Sequence, residues 1–143
     1  MKHFLVLVVL LLAAPAAFAD STDACPTLPA DSGLKWTYQD GPDFGVCYAS
    51  LVDTEQSVFG IYLGNHPSFH PEHSTMIGKG RVAGRRIDWY RQDASDDDSP
   101  FARQTLLTLD GKGGYVAHVW VTANNEQELQ ARLAILERLV FKQ

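Results

Sequence analysis

The chain has 143 residues, a formal net charge of −5 at pH 7 and only two cysteines. An acidic chain lacks the basic face that phosphate neutralisation requires, which argues against nucleic-acid binding. Two cysteines without a C-x-x-C spacing argue against a redox centre or a thiolate metal site. Cys25 and Cys47 are therefore expected to form one structural disulfide.

The first residues have the pattern of an export signal. Lys2 and His3 precede an apolar run, and Ala17-Phe18-Ala19 is a small-x-small cleavage site. The apolar run is shorter than the roughly 20 residues of a membrane span. We expect residues 1–19 to be a signal peptide, residues 20–33 an N-terminal lead-in, and residues 34–143 a single α+β domain of a periplasmic or secreted protein without a membrane span.

Alternating apolar residues predict five to seven mostly antiparallel strands. LKWTYQD and FGVCYASL flank a turn with Gly and Pro and predict a β-hairpin, and SVFGIYL predicts a third strand. In RVAGRRIDWYRQ the alternation changes phase at Ala83-Gly84, which indicates either a tight turn between two short strands or a bulge. FARQTLLTLD predicts a further strand, and residues 93–100 predict a solvated loop.

The last quarter of the chain combines a strand with an amphipathic helix. YVAHVWVT is largely apolar on both faces, which indicates a central strand. In NEQELQARLAILERLV, one apolar stripe includes Leu129, Leu136 and Val140. Asn125 and Glu128 have the spacing of a capping box. The predicted fold class is α+β, a mostly antiparallel sheet covered by a C-terminal helix.

The order of these elements resembles the layout of the Mog1/PsbP-like proteins. The early hairpin, the V-A-G turn of GRVAGRRIDWY, the pre-terminal strand and the closing strand-plus-helix carry the resemblance, over residues 34–141. That group includes extrinsic photosystem subunits, Ran-binding proteins and immunity proteins against periplasmic toxins. The resemblance implies a non-enzymatic binding module, and no functional motif is matched that would assign site residues.

The long segment from residue 64 to residue 80, predicted to be a loop, is the first candidate site. It contains His66, Phe69, His70 and His73. In one interpretation the loop enters a cleft of a protein partner, with Phe69 as its apolar tip and His66 and His70 as hydrogen-bonding flanks. In another, two prolines hold the loop on the sheet and Phe69 points inward. The three histidines would alternatively bind zinc or copper, although no zinc motif is present.

Residues 79–91 are a second candidate site because they are locally basic in an acidic chain. Arg85 and Arg86 have the planar forks that bind carboxylate or phosphate groups of a partner. Charges along edge strands also protect a sheet from pairing with another chain. The aspartate run within residues 93–98 lacks the spacing of a calcium-binding loop.

No catalytic signature accompanies these candidates. The chain has no G-x-S-x-G motif, and the expected disulfide leaves no free cysteine nucleophile. The sequence predicts a small, exported, non-enzymatic binding or inhibitory protein, of which an immunity protein is one kind, with a protein partner in the cell envelope and no cofactor. The alternative function is a periplasmic metal-binding protein that uses His66, His70 and His73.

Overall fold

The computed structural model describes residues 21–92 and 100–143, and these form a seven-stranded sheet with one α-helix. Every neighbouring pair of strands is antiparallel, and the spatial order is β1-β2-β3-β7-β6-β5-β4. The elements are β1 (Leu34–Asp40), β2 (Phe44–Leu51), β3 (Ser57–Gly64), β4 (Met76–Val82), β5 (Arg85–Arg91), β6 (Arg103–Thr108), β7 (Val116–Val121) and α1 (Glu126–Glu137). The predicted α+β class is confirmed. The predicted signal peptide and the aspartate run lie outside the described residues.

The last strand of the sequence is the central strand of the sheet, as its two apolar faces predicted. β7 is fourth in the spatial order and pairs with β3 on one side and β6 on the other. Val119 and Val121 are fully buried on the side of the main core cluster, and Val116 and His118 are nearly buried on the other side. Both sides of β7 are therefore shielded from water.

Helix α1 begins where the sequence predicted. Asn125 Oδ1 accepts a hydrogen bond from the Glu128 backbone N–H at 2.9 Å, which satisfies one of the donors that a helix start leaves without a partner. The Glu128 carboxylate accepts from the Asn124 N–H at 3.0 Å, one residue before the position of the usual capping box. Leu129 and Leu136 are fully buried against the sheet.

The helix ends before the predicted apolar stripe does. Arg138 is the C-cap, and Val140 is 60% exposed in a short backbone bridge with Thr27. The assignment of Val140 to the buried stripe was wrong because helical spacing no longer describes which side of the chain faces the core after Arg138.

Cys25 and Cys47 form the predicted disulfide, with their Cα atoms 5.8 Å apart. Both residues are buried, and Cys47 lies in the middle of β2. The N–H of Trp36 Nε1 donates to the Pro26 carbonyl at 2.7 Å, next to the bridge. The disulfide therefore binds the segment before β1 to the sheet, beneath the same face that α1 covers.

The phase change at Ala83-Gly84 is a two-residue turn between β4 and β5, the first of the two predicted alternatives. Both residues have positive φ, 50° and 71°, as a type I′ hairpin turn requires. Their N–H groups donate to the carbonyls of Leu136 and Glu137, each at 2.9 Å. The turn thus supplies partners for carbonyls that the end of a helix leaves unpaired.

Strand β4 begins at Met76, so the predicted loop from residue 64 to residue 80 was too long. The connection covers residues 65–75 and is named here the β3–β4 loop; it ends in a 3-10 turn, His73–Thr75. Gly78 and Gly80 made the beginning of β4 resemble a loop, since glycine is depleted in strands.

Candidate functional site

The two faces of the sheet are covered differently. The helix face, beneath α1, carries the main core cluster, which includes Phe59, Ile61, Val119 and Leu129. The opposite face, named here the open face, has no helix or strand packed on it within the described residues. The β3–β4 loop reaches over it through Phe69, which contacts His118. The side chains of the open face therefore lie outside the main core cluster and are the candidates for a functional site.

A continuous row of rings, named here the aromatic strip, crosses the open face. Its neighbouring ring centroids lie between 5.2 and 6.1 Å apart. In order across the sheet, the rings are Tyr48, Trp120, His118, Phe69 and Tyr90. Such aromatic neighbours on one face stabilise the pairing of their strands. Tyr48, Trp120 and Tyr90 remain partly exposed, so they also present apolar surface and polar tips to a partner.

His118 lies at the centre of the strip and is only 9% exposed. Its Nε2 is 3.0 Å from Gln104 Oε1, and Gln104 Nε2 donates to the Arg91 carbonyl at 3.2 Å. Because the amide nitrogen is occupied in that way, Gln104 Oε1 accepts the Nε2–H of His118. Burial lowers the pKa of His118 from 6.5 to about 4, so the imidazole is neutral near pH 7.

A pocket of about 430 Å³ lies between the β3–β4 loop and the sheet, beside His118. Its lining is mostly polar and comprises Ser68, Phe69, His70, Glu72, Thr75, Arg91, Gln92, Gln104 and His118. Gln92 also has a buried Oε1 without a hydrogen-bond partner among the described residues.

The structure corrects one of the two interpretations of the β3–β4 loop. Phe69 is only 9% exposed, and its ring is stacked on His118 at 5.2 Å, so it cannot be an exposed tip that enters a partner's cleft. The interpretation in which Phe69 points inward is confirmed. His66 and His70 are exposed, and His70 lines the loop pocket. The loop therefore contributes a polar rim to the open face.

Arg85 and Arg86, predicted together as partner-binding residues, lie in different places. Adjacent residues of a strand point to opposite faces. Arg86 lines a cleft of about 870 Å³ beside the β4–β5 hairpin. Arg85 lines a separate pocket next to the C-terminal residues Leu139 and Lys142. They do not form one site.

The three histidines of the metal-binding alternative, His66, His70 and His73, are all exposed. In the ranges 21–92 and 100–143, no three His, Cys, Asp or Glu side chains lie together in a group that could hold a metal ion. The geometry therefore gives the metal-binding alternative no support.

Sequence reasoning missed most of the open face. Tyr48, Gln104 and Trp120 lie on three different strands, and their neighbourhood depends on the order β2-β3-β7-β6. Alternation shows that Tyr48 and Cys47 point to opposite faces, but it does not show which face the helix covers. The sequence did carry one signal for the open face: Tyr48 alternates with Cys47 on β2, so an aromatic side chain points away from the face that holds the cysteine.

Within the described residues, no helix combines the length and the hydropathy that crossing a membrane requires. No family model, curated protein or solved structure matches the chain. The Mog1/PsbP-like resemblance stays a prediction from the order of the elements.

Proposed function

We propose that this chain is an exported, non-catalytic binding or inhibitory protein that engages a protein partner of the cell envelope through the open face of its sheet. The observation that carries the proposal is the aromatic strip, which lies on the face that no helix of residues 21–92 and 100–143 covers. Tyrosine, tryptophan and arginine dominate the energetically important positions of protein interfaces. Tyr48, Trp120 and Tyr90 supply the first two types on this face.

The chemistry of His118 supports a binding role over catalysis. Its hydrogen-bond partner is the amide oxygen of Gln104. An amide is uncharged, so it does not stabilise a protonated imidazole as the carboxylate of a catalytic triad does. Its pKa, lowered to about 4, makes the neutral ring a weak base near pH 7, whereas a general base works best with a pKa close to the working pH. The histidine therefore holds the aromatic strip in place as a buried, hydrogen-bonded ring.

The exported location is part of the proposal and rests on two features. The N-terminal sequence has the charged, apolar and small-residue regions of a signal peptide. The buried disulfide between Cys25 and Cys47 suits an oxidising compartment, since cytosolic thiols are kept reduced.

A capture experiment with matched tyrosine variants tests the proposed surface. The immobilised protein is incubated with detergent-solubilised cell envelope, and bound proteins are quantified by mass spectrometry. Tyr48→Ala removes a partly exposed ring from the open face, whereas Tyr115→Ala removes an exposed ring that lines the pocket near the C-terminus. We expect Tyr48→Ala to reduce capture of the main partner about tenfold or more, as loss of an interface hot spot does, and Tyr115→Ala to leave it unchanged.

The loop rim is tested in the same assay. A double variant, His66→Ala with His70→Ala, removes two exposed loop side chains without touching buried Phe69. A smaller loss of capture than that of Tyr48→Ala is expected, since residues at the rim of an interface contribute less than those at its centre. Equal capture by the wild type, the Tyr48→Ala variant and the double variant would remove the open face as the binding surface.

A further inference from the structure

The β4–β5 hairpin separates from β6 along most of its length. Among the residues of β5, only Tyr90 and Arg91 pair with β6. Further along, the Thr105 hydroxyl donates to the Asp88 carbonyl at 2.7 Å in place of a backbone ladder. The tip of the hairpin, at Ala83 and Gly84, is hydrogen-bonded to the last carbonyls of α1. β5 and β6 therefore diverge toward the end of the sheet at which this tip lies. The cleft of about 870 Å³ lies at this separation.

The charges that line this cleft are not balanced. Lys79 and Asp88 form an ion pair at 3.3 Å. Arg81 and Arg86 are directly paired positions on β4 and β5, so their side chains lie on the same face as close neighbours. The one side-chain hydrogen bond of this pair runs from Arg81 to the Gly84 carbonyl, and no described carboxylate pairs with either guanidinium. Like charges directly opposite each other destabilise a strand pair, and a bound anion would reverse that effect.

Charge along a strand edge can protect a sheet from pairing with another chain, and β4 is an edge strand with the exposed ammonium of Lys79. Arg86 lies on β5, at a point where β5 pairs with β4 and not with β6. Its side chain lines the cleft that opens between β5 and β6.

We infer that the cleft binds a carboxylate-bearing peptide segment of the protein partner, in which an aspartate or glutamate side chain forms ion pairs with Arg81 and Arg86. This inference rests on the proposed function and names the chemistry of its partner. The planar guanidinium fork matches the two oxygens of a carboxylate. Next to the arginines the cleft offers Ile87, Leu106 and the Tyr90 ring, which suit an apolar side chain adjacent to the acidic one.

An extended polyanion fits this surface less well than a short acidic segment. The whole chain carries a net charge of −5, so a nucleic acid or an anionic membrane would meet repulsion outside the cleft. A peptide segment places its carboxylates at the two arginines and leaves the rest of the surface free. The mixed lining of arginines and apolar side chains also suits a peptide, whereas a phosphate polymer would use only the arginines.

Charge reversal at Arg86 tests the inference with a variant that is expected to fold like the wild type. The probe is a short synthetic peptide rich in glutamate with one tyrosine, and the full-length purified protein is titrated by calorimetry and by NMR of the arginine Nε–H signals. In Arg86→Glu the new carboxylate lies opposite Arg81, so the variant is expected to unfold at the same temperature as the wild type or higher. The control is Lys112→Glu, which makes the same charge change at an exposed residue outside the cleft.

The expected result is binding that shifts the Arg81 and Arg86 signals, weakens about tenfold or more in Arg86→Glu, and changes by less than about twofold in Lys112→Glu. Equal weakening in both variants, no shift of the two arginine signals, or no binding at all would overturn the inference. Tighter binding of inorganic polyphosphate or of phosphatidylglycerol vesicles than of the peptide would overturn it in favour of a phosphate ligand.

The envelope capture experiment separates this inference from the proposed function. If Arg86→Glu retains the captured partner while Tyr48→Ala loses it, the cleft inference fails and the open face stands. If the peptide binds at Arg81 and Arg86 but Tyr48→Ala captures as the wild type does, the cleft inference stands and the aromatic strip is not the interface.

Discussion

The indole ring of Trp120 lies over the backbone of Gly60, its directly paired neighbour across β3 and β7. A Cβ atom at position 60 would overlap the six-membered part of the ring. The ring is held from the sides by Tyr48 and His118, whose centroids lie at 6.1 and 5.4 Å. The missing side chain of Gly60 therefore sets the position of the aromatic strip on the open face.

Substitution of Gly60 by alanine is expected to lower the free energy of unfolding by roughly 1–3 kcal/mol, because the Trp120 ring must shift from its packed position. Gly78→Ala is the matched control, since Gly78 is also a strand glycine and a Cβ there meets nothing within 4 Å. The control is expected to change stability by less than about 0.5 kcal/mol. Urea titration followed by tryptophan fluorescence measures both, and equal effects would contradict the role given to Gly60.

The disulfide is expected to be a large contributor to stability. The bridge joins residues separated by 22 positions, and closure of a loop of this size contributes about 3 kcal/mol in the chain-entropy description. The double variant Cys25→Ala with Cys47→Ala should lose about this much in urea titration, with both alanines accommodated in buried positions.

The covalent state of the cysteines is checked separately by mass spectrometry. Alkylation of the purified protein in denaturant without reductant should add no label, and alkylation after reduction should add two. Two labels in the absence of reductant would show that Cys25 and Cys47 are not bonded in the cell.

The turn that caps α1 offers a test in both directions. Ala83 has a φ of 50°, a conformation that costs a side chain with a Cβ but that asparagine tolerates. Ala83→Asn creates the Asn-Gly pair that type I′ turns prefer, and we expect a gain of roughly 0.5 kcal/mol in unfolding free energy. Gly84→Ala places a Cβ at a φ of 71° and should lower stability by about 1 kcal/mol. Thermal unfolding by circular dichroism measures both, and shifts in the same direction would contradict the assignment of the turn.

The sequence predicted best those elements whose residues alternate without interruption. The bounds of β1 and β2 follow directly from the alternation around Trp36 and Val46. Asn125 marked the start of α1 because its side chain and the Glu128 N–H are three residues apart, a distance that a local rule describes. Local rules failed at Met76, where pairing with β5 turns a glycine-rich segment into a strand.

The candidate site was less predictable because it is assembled from distant parts of the chain. Phe69 and His118 are far apart in sequence and stack only because the β3–β4 loop folds back over β7. The pairing of Arg81 with Arg86 was accessible once the two-residue turn had been chosen over the bulge, since the turn determines the register of a hairpin. The cleft beside these two arginines could not be predicted from the sequence, because it depends on the contact between the turn and the end of α1.

The buried state of His118 predicts how stability depends on pH. Burial lowers the pKa of His118 in the folded protein to about 4, below its ordinary value of 6.5. Between these values the unfolded chain takes up a proton that the folded chain does not, so acid favours unfolding. The free energy of unfolding that depends on a neutral His118 is therefore fully present above about pH 6.5 and is lost progressively as the pH falls toward 4.

The expected loss over this window is roughly 1–2 kcal/mol, allowing for the water that reaches the edge of the ring. Unfolding free energies of the wild type and of His118→Gln are measured by urea titration across pH 4–7. The variant keeps a polar side chain beside Gln104 but has no proton to take up, so its curve should be flatter. Asp31, whose pKa the side-chain hydrogen bond from Arg138 lowers from 3.8, titrates below the window and affects both proteins equally. Parallel curves for the two proteins would show that His118 does not carry the pH dependence.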